Sequence, residues 1–474
     1  MVEKNDLPGL TLAAASAAMR DRTLLPTDYL EALIAQTERF EGDVHAYVLP
    51  MFAQARADAK KADAEIAAGD WRGPLHGIPV GIKDIIDVAG VPTTCHSAIC
   101  KDSVATADST VVKRLRAAGA IIIGKLSTHE FALGGPCFDL PWPPAFNPWA
   151  PRHSPGGSSS GSGAALAARF MPAALGTDTG GSIRNPATMC GIVGFKATYG
   201  RVSRAGVFAL SYSLDHVGPM TRTVRDNALL LQVLAGHDAS DPASAAVAVP
   251  DYGAALGQSV KGLRVGVVRQ YYTTDLVADP EMADAIEGAV AELGRLGATV
   301  VDVRLPPLAE SEAAMRAIMH AEAYSIHKPW LKSRPQDYGA RTLEGLLTGA
   351  FIGGGDYVTA LRHRRTYIET VAKAMADVDV LITSSAMDPT FPVDDEAAIT
   401  RSNGRRTRSM FNLSGSPALV MPAGFSRAGL PLAVQIVGKP FDETMVYRVA
   451  DAYERETNWH ERLPPLLARE AIAA

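Results

Sequence analysis

Gly156-Gly-Ser-Ser-Ser-Gly-Ser-Gly163 and, a little further on, Gly176-Thr-Asp-Thr-Gly-Gly-Ser182-Ile-Arg-Asn-Pro186 form the stretch on which the reading of this 474-residue chain turns. Glycine and serine at this density imitate a flexible linker. Core-like apolar pieces at 164–169 and 192–195 interleave with them at short intervals, so the segment is built into a folded body. Just upstream, residues 136–155 are loop-like, with seven prolines and with Trp142 and Trp149, which either wall a pocket or pack the loop. Working outward, residues 26–40 and 51–68 carry apolar side chains at helical spacing, with Gly69 as a stop. Residues 77–88 are a β-rich apolar run with one basic residue, Lys83, inside it. A helix over 108–119 and a buried strand over 120–123 follow. After Val224 the rhythm continues with strands at 263–268, 299–303, 379–383, 417–421 and 432–437, and helices at 280–296, 310–327, 356–376 and 442–456. This alternation predicts an α/β fold with a mixed, mostly parallel central sheet covered by helices on both faces.

Composition narrows the function classes. Hydrophobic residues make up 47% and charged residues 20%, which excludes a disordered chain. The net charge of −5 gives no footprint for nucleic acid or an anionic membrane. No apolar run is long enough to span a bilayer. The apolar segment Leu7 to Met19 follows Glu3, Lys4 and Asp6 and is broken by Pro8-Gly9, so it reads as a short amphipathic helix and not a leader. Cys95, Cys100, Cys137 and Cys190 show neither disulfide-scaffold nor zinc spacing, so reduced thiols in a cytoplasmic protein are expected, with no metal and no cofactor.

Three chemistries compete for the glycine-serine region. A phosphate cradle would need a P-loop or a full Gly-x-Gly-x-x-Gly, and neither is present. Gly157-Ser-Ser159-Ser-Gly161 formally matches a nucleophile elbow, but the downstream histidines His320, His327, His363 and His460 stand in no distinctive loop. The third reading uses Ser182, preceded by two glycines that let consecutive backbone N–H groups converge, with Lys83 as the base. Burial disfavours the ammonium and would bring it from ~10.4 toward roughly 7–8, where it can accept a proton. The alternative is a strand-end lysine that snorkels to solvent or pairs with Asp84 or Asp87.

The ordered run from Gly156 through Ser182 to Cys190-Gly-Ile-Val-Gly-Phe-Lys-Ala-Thr-Tyr-Gly-Arg-Val-Ser203 closely resembles the amidase signature family. Gly77-Ile-Pro-Val-Gly-Ile-Lys-Asp84 resembles its lysine segment, Leu214-Asp-His-Val-Gly-Pro219 its following loop, and Gly429-Leu-Pro-Leu-Ala-Val-Gln-Ile-Val-Gly438 its C-terminal strand. The resemblance implies one large domain over 1–474, with a helical segment over about 1–70 and the signature core at about 75–225. It further implies a Ser-cisSer-Lys triad: nucleophile Ser182, base Lys83, and bridging Ser158, which falls at the family's spacing of 24 residues before the nucleophile. The backbone N–H groups of Thr179, Gly180, Gly181 and Ser182 would form the oxyanion hole, and Asp178 and Arg184 would pair to support the loop.

The implied reaction is hydrolysis of a small-molecule amide, or a related ester or carbamate, through an acyl-enzyme, with an alkaline optimum because Lys83 must be neutral. The expected partners are the amide substrate and a second copy of the chain in a homodimer, with no nucleic acid and no membrane. The alternative within the family is the glutaminase (A) subunit of an aminoacyl-tRNA amidotransferase. That branch usually carries an acid before the Asn-Leu-x-Gly-x-Pro motif, here Asn412 to Pro417. In this chain the stretch is Arg401-Ser-Asn-Gly-Arg-Arg-Thr-Arg-Ser-Met410, with no acid. Arg405, Arg406 and Arg408 either face a carboxylate or π-rich substrate or form a basic surface loop.

Overall fold

The computed structural model describes residues 4–468; the ends of the expected 1–474 domain, residues 1–3 and 469–474, lie outside the described residues. Eleven strands form one sheet: β1 (Tyr47–Pro50), β2 (Pro79–Lys83), β3 (Ile121–Leu126), β4 (Ala173–Asp178), β5 (Val193–Lys196), β6 (His216–Thr221), β7 (Arg264–Val267), β8 (Thr299–Asp302), β9 (Val380–Thr383), β10 (Ala418–Phe425) and β11 (Pro431–Gly438). Their order is β1-β3-β2-β4-β6-β5-β10-β11-β9-β7-β8. The mixed α/β sheet is as expected, but "mostly parallel" is corrected. Among the described residues only β3-β2-β4 and β9-β7-β8 pair in parallel, and the central pairings from β4 through to β9 are antiparallel. The reason is partly covalent: β10 and β11 are joined by a turn over 426–430, too short for the crossover that a parallel pair needs.

Both faces of the sheet are buried, and the pleat distributes the side chains between them. Ile121 and Ile123 pack in one apolar cluster with Ala164, Ala165 and Ala187, while Ile122 belongs to a second cluster with Val112, Leu115 and Leu231. Likewise Ala174 packs in the first cluster, and Ala173 and Leu175 in the second. This is the period-2 alternation of a strand read from both sides. Helices 26–44, 52–68, 160–167 and 184–190 contribute to the first cover, and helices 110–117, 224–234 and 443–456 to the second. The expected helical start is seen in Leu12–Arg20, Pro26–Val44 and Phe52–Ala68, the last closed by Gly69 at φ 93°. Leu12, Ala15 and Met19 are buried, so the second part of the Leu7 to Met19 segment docks as an amphipathic helix, Leu12–Arg20, while Leu7 belongs to a separate 3-10 turn over Lys4–Gly9. No helix among the described residues is long and apolar enough to cross a membrane.

The parallel strands β2 and β4 lie side by side, with Ile82 opposite Leu175. Their carboxyl ends, Lys83 and Asp178, therefore emerge at the same edge, the position where open α/β sheets present chemistry.

Candidate active site

Lys83 is the last residue of β2 and is fully buried. It neither snorkels nor pairs with its neighbour: Asp84 bonds instead to Lys125 of β3, at 2.8 Å and with both side chains buried. Lys83 Nζ donates to Ser158 Oγ at 2.7 Å and to Thr177 Oγ1 at 2.7 Å. Burial pulls its pKa down to about 7, only partly offset by the more distant Asp178 and Asp215. A lysine held by hydroxyls and not by a carboxylate is thus poised to exchange a proton near neutrality.

Ser158 stands just ahead of the helix over 160–167, and the Gly157–Ser158 peptide bond is cis. Gly157 has no room for a side chain, because a Cβ would lie 2.0 Å from Cε1 of the half-buried His129 ring that lines the cleft. Ser158 and Ser182 line one cleft of about 520 Å³ and are tied through the backbone, the Ser159 N–H donating to the Ser182 carbonyl at 3.2 Å.

The loop that carries Ser182 is organised by Asp178 at the end of β4. Its carboxylate accepts from the N–H groups of Gly181 (2.8 Å) and Ile183 (3.1 Å) and forms a two-point pair with Arg184, at 2.9 and 3.0 Å. Both side chains are fully buried. Arg184 is further tied to Asn412 Oδ1, Gln435 Oε1 and the Arg408 carbonyl. Burial alone would raise the Asp178 carboxyl; the Arg184 guanidinium, Lys196 and Asn412 overcome this and hold it well below the usual carboxylate range. The expected pairing of Asp178 with Arg184 is therefore what the structure contains.

Of the four backbone N–H groups expected to form an oxyanion hole, one already has an acceptor. The Gly181 N–H is committed to Asp178, because the carboxylate gathers the N–H groups of the turn that starts the next helix. Thr179, Gly180 and Ser182 keep N–H groups with no acceptor among the described residues, and all three residues line the cleft.

Several cleft residues are not marked as site residues by the sequence, which offers His320 only as a downstream histidine for a nucleophile elbow. His129, Arg316, His320, Arg341 and Glu344 come from a loop and from helices 308–333 and 340–348. Thr177, two residues beyond Leu175 on β4, was hidden inside the glycine-rich motif, although its alternation with Leu175 puts it on the same face. A second cavity of about 490 Å³ shares Thr179 and Leu210 with the first and is lined by Asp215, Tyr199 and Phe208. Asp215 accepts from Thr179 Oγ1 at 2.6 Å, and burial pushes its pKa up to about 6. The tryptophans pack the loop: Trp149 Nε1 donates to the Cys190 carbonyl at 2.8 Å, and the Trp142 carbonyl contacts His96 Nε2. Of the arginines, Arg406 and Arg408 line the cleft, whereas Arg405 is held on Asp388.

The family model for Amidase matches residues 28–447, and the chain belongs to the amidase signature family. It is a hydrolase of C–N bonds by that membership. An amidase of Pseudomonas putida is 42% identical, covering 98% of this chain and 99% of its own length. The A-type subunit of the glutamyl-tRNA(Gln) amidotransferase of Roseiflexus sp. (strain RS-1) is 40% identical over 96% and 98% of the two chains. Among solved structures, the native peptide amidase of Stenotrophomonas maltophilia superposes with a TM-score of 0.84 at 30% identity, over 96% of this chain and 98% of that one.

Proposed function

We propose that the protein is a stand-alone hydrolase of small-molecule amides that works through Lys83, Ser158 and Ser182. The observation that carries this reading is the 2.7 Å contact between Lys83 Nζ, with its pKa near 7, and Ser158 Oγ. Neutral Lys83 takes the Ser158 proton as Ser158 takes that of Ser182, whose oxygen attacks the amide carbonyl carbon. The N–H groups of Thr179, Gly180 and Ser182 receive the developing oxyanion. Collapse breaks the C–N bond, and the proton returns through Ser158 to the leaving nitrogen, giving the amine and an acyl-Ser182 ester. Water adds to the ester under the same relay, releasing the carboxylic acid and free Ser182. Asp178 and Arg184 hold the loop. Esters and carbamates fit the same sequence of steps.

Two further observations bear on the setting. The described cysteines are all buried free thiols, which supports a cytoplasmic protein. Residues 401–410 bring Arg406 and Arg408 to the cleft and no acid, which supports an amidase over a glutaminase subunit that must hold the amino group of glutamine. The 40% identity to an amidotransferase relative keeps that second reading in view. Incubating the isolated protein with glutamine and with a panel of aliphatic and aryl amides separates them. Turnover of the amides is expected; ammonia from glutamine alone, with the panel inert, would reverse the assignment.

A further inference from the structure

Arg408 is a buried cation with no anion of its own. Its side chain runs along Gly181, where a Cβ would lie 2.2 Å from Arg408 Cδ, so the guanidinium sits against the residue that precedes Ser182. Only 3% of Arg408 is exposed, and that part lines the cleft. Nη1 donates to the Ser385 carbonyl at 3.0 Å, while Nε is buried without a partner. No carboxylate among the described residues forms an ion pair with it. Its neighbours differ: Arg405 is neutralised by Asp388, and Arg406 and Arg316 share Glu312.

Burial, with Arg406 and Arg184 nearby, lowers the Arg408 pKa to about 9, so it is still charged at neutral pH. Keeping an unpaired guanidinium out of water is costly, and one aimed at a substrate cleft gains its counter-ion when an anionic ligand enters. The planar fork of arginine matches a carboxylate. We infer that Arg408 receives a carboxylate carried by the substrate close to the scissile carbonyl, so that the enzyme prefers short amides bearing an acid group. This rests on the amide-hydrolase reading and specifies its substrate class.

The test compares kcat/KM for succinamate and glutaramate with their neutral isosteres, in which an isopropyl group replaces the carboxylate. Wild-type protein should favour the anionic amides by about 10- to 100-fold, mainly through KM, as a charge-assisted hydrogen bond allows. Arg408→Gln should bring that ratio close to one, and Arg408→Lys, which keeps the charge without the fork, should give an intermediate ratio. In parallel, calorimetry with succinate on Ser182→Ala should show saturable binding that Ser182→Ala/Arg408→Gln lacks. If Arg408→Gln does not fold, the lysine variant and inhibition of the wild type by succinate decide. Equal or better use of the neutral isosteres by the wild type, or a ratio that survives in the variants, overturns the inference while leaving the amidase reading intact. Arg408-dependent succinate binding without turnover of any amide would sustain the anion site and overturn the amidase reading.

Discussion

Asp84 bonds to Lys125, one strand away, and leaves Lys83, its neighbour in sequence, to the hydroxyls of Ser158 and Thr177. Two buried lysines on adjacent parallel strands are thereby assigned opposite duties. Lys125 neutralises a buried carboxylate; Lys83 has no carboxylate to neutralise and bears the desolvation of its own charge.

The two lysines should therefore respond oppositely to Met. Lys125→Met leaves Asp84 buried and unpaired, and denaturant unfolding should show a loss of about 3–5 kcal/mol. Lys83→Met should abolish turnover yet raise the melting temperature. The sign comes from linkage: Lys83 has its folded pKa near 7 and an unfolded value of 10.5. Between these values the unfolded chain binds the extra proton, so wild-type stability rises with pH across this window. The advantage of Lys83→Met should be largest at pH 7 and below and shrink toward pH 9. A destabilised Lys83→Met at pH 7 contradicts the cost assigned to that buried ammonium.

Thr177 Oγ1 is the second hydrogen-bond partner of Lys83 and acts by positioning it. Thr177→Val preserves shape and removes the hydroxyl. We expect kcat to fall about 10-fold with KM little changed and the pH midpoint of kcat/KM displaced, while Thr177→Ser restores both. An unchanged pH profile in Thr177→Val would leave the residue with a packing role only.

Gly157 and His129 meet so closely that any side chain on the former displaces the latter. Gly157→Ala should lower both stability and the rate of acylation. Combining it with His129→Gly, which empties the space, should recover part of the stability, giving a coupling energy of about 1 kcal/mol or more in a double-mutant cycle. Strict additivity would mean that the collision is relieved elsewhere.

Asp178 and Arg184 form a buried pair on which the turn before the 184–190 helix depends. Asp178→Asn strands a buried guanidinium and should cost about 3–5 kcal/mol in denaturant unfolding. In the wild type the depressed Asp178 pKa contributes stability above the unfolded value of 3.8 that is lost as the pH falls below it. The deficit of Asp178→Asn relative to wild type should accordingly narrow in strong acid.

The parts of this site that were legible in the sequence are those written as contiguous words. Ser182 behind its two glycines and a lysine in an apolar strand each violate what their surroundings would otherwise dictate, whereas Ser158, one serine among several, is picked out only by the spacing that the family resemblance implies. The strand β4, Ala-Ala-Leu-Gly-Thr-Asp178, and the strand β6, His216-Val-Gly-Pro-Met-Thr221, did not read as strands. They are poor in β-branched residues, and β6 places Pro219 opposite Leu175 in mid-sheet; pairing and burial there override local propensity. The direction of the Gly181 N–H was equally hidden, since only the folded turn reveals that Asp178 claims it. Arg316 and His320 are ordinary residues of the expected 310–327 helix, and Arg341 lies in a helix over Ala340–Thr348 that was not expected; all three become cleft residues only through tertiary packing.

The relay from Ser182 through Ser158 to Lys83 is tested most directly by the rate of covalent labelling with a fluorophosphonate, followed by intact-mass spectrometry between pH 5 and pH 9. The account predicts a single adduct, absent from Ser182→Ala, whose formation rate rises with a midpoint near pH 7 as Lys83 loses its proton. Labelling that persists in Ser182→Ala, or a rate that stays flat across the range, would contradict it.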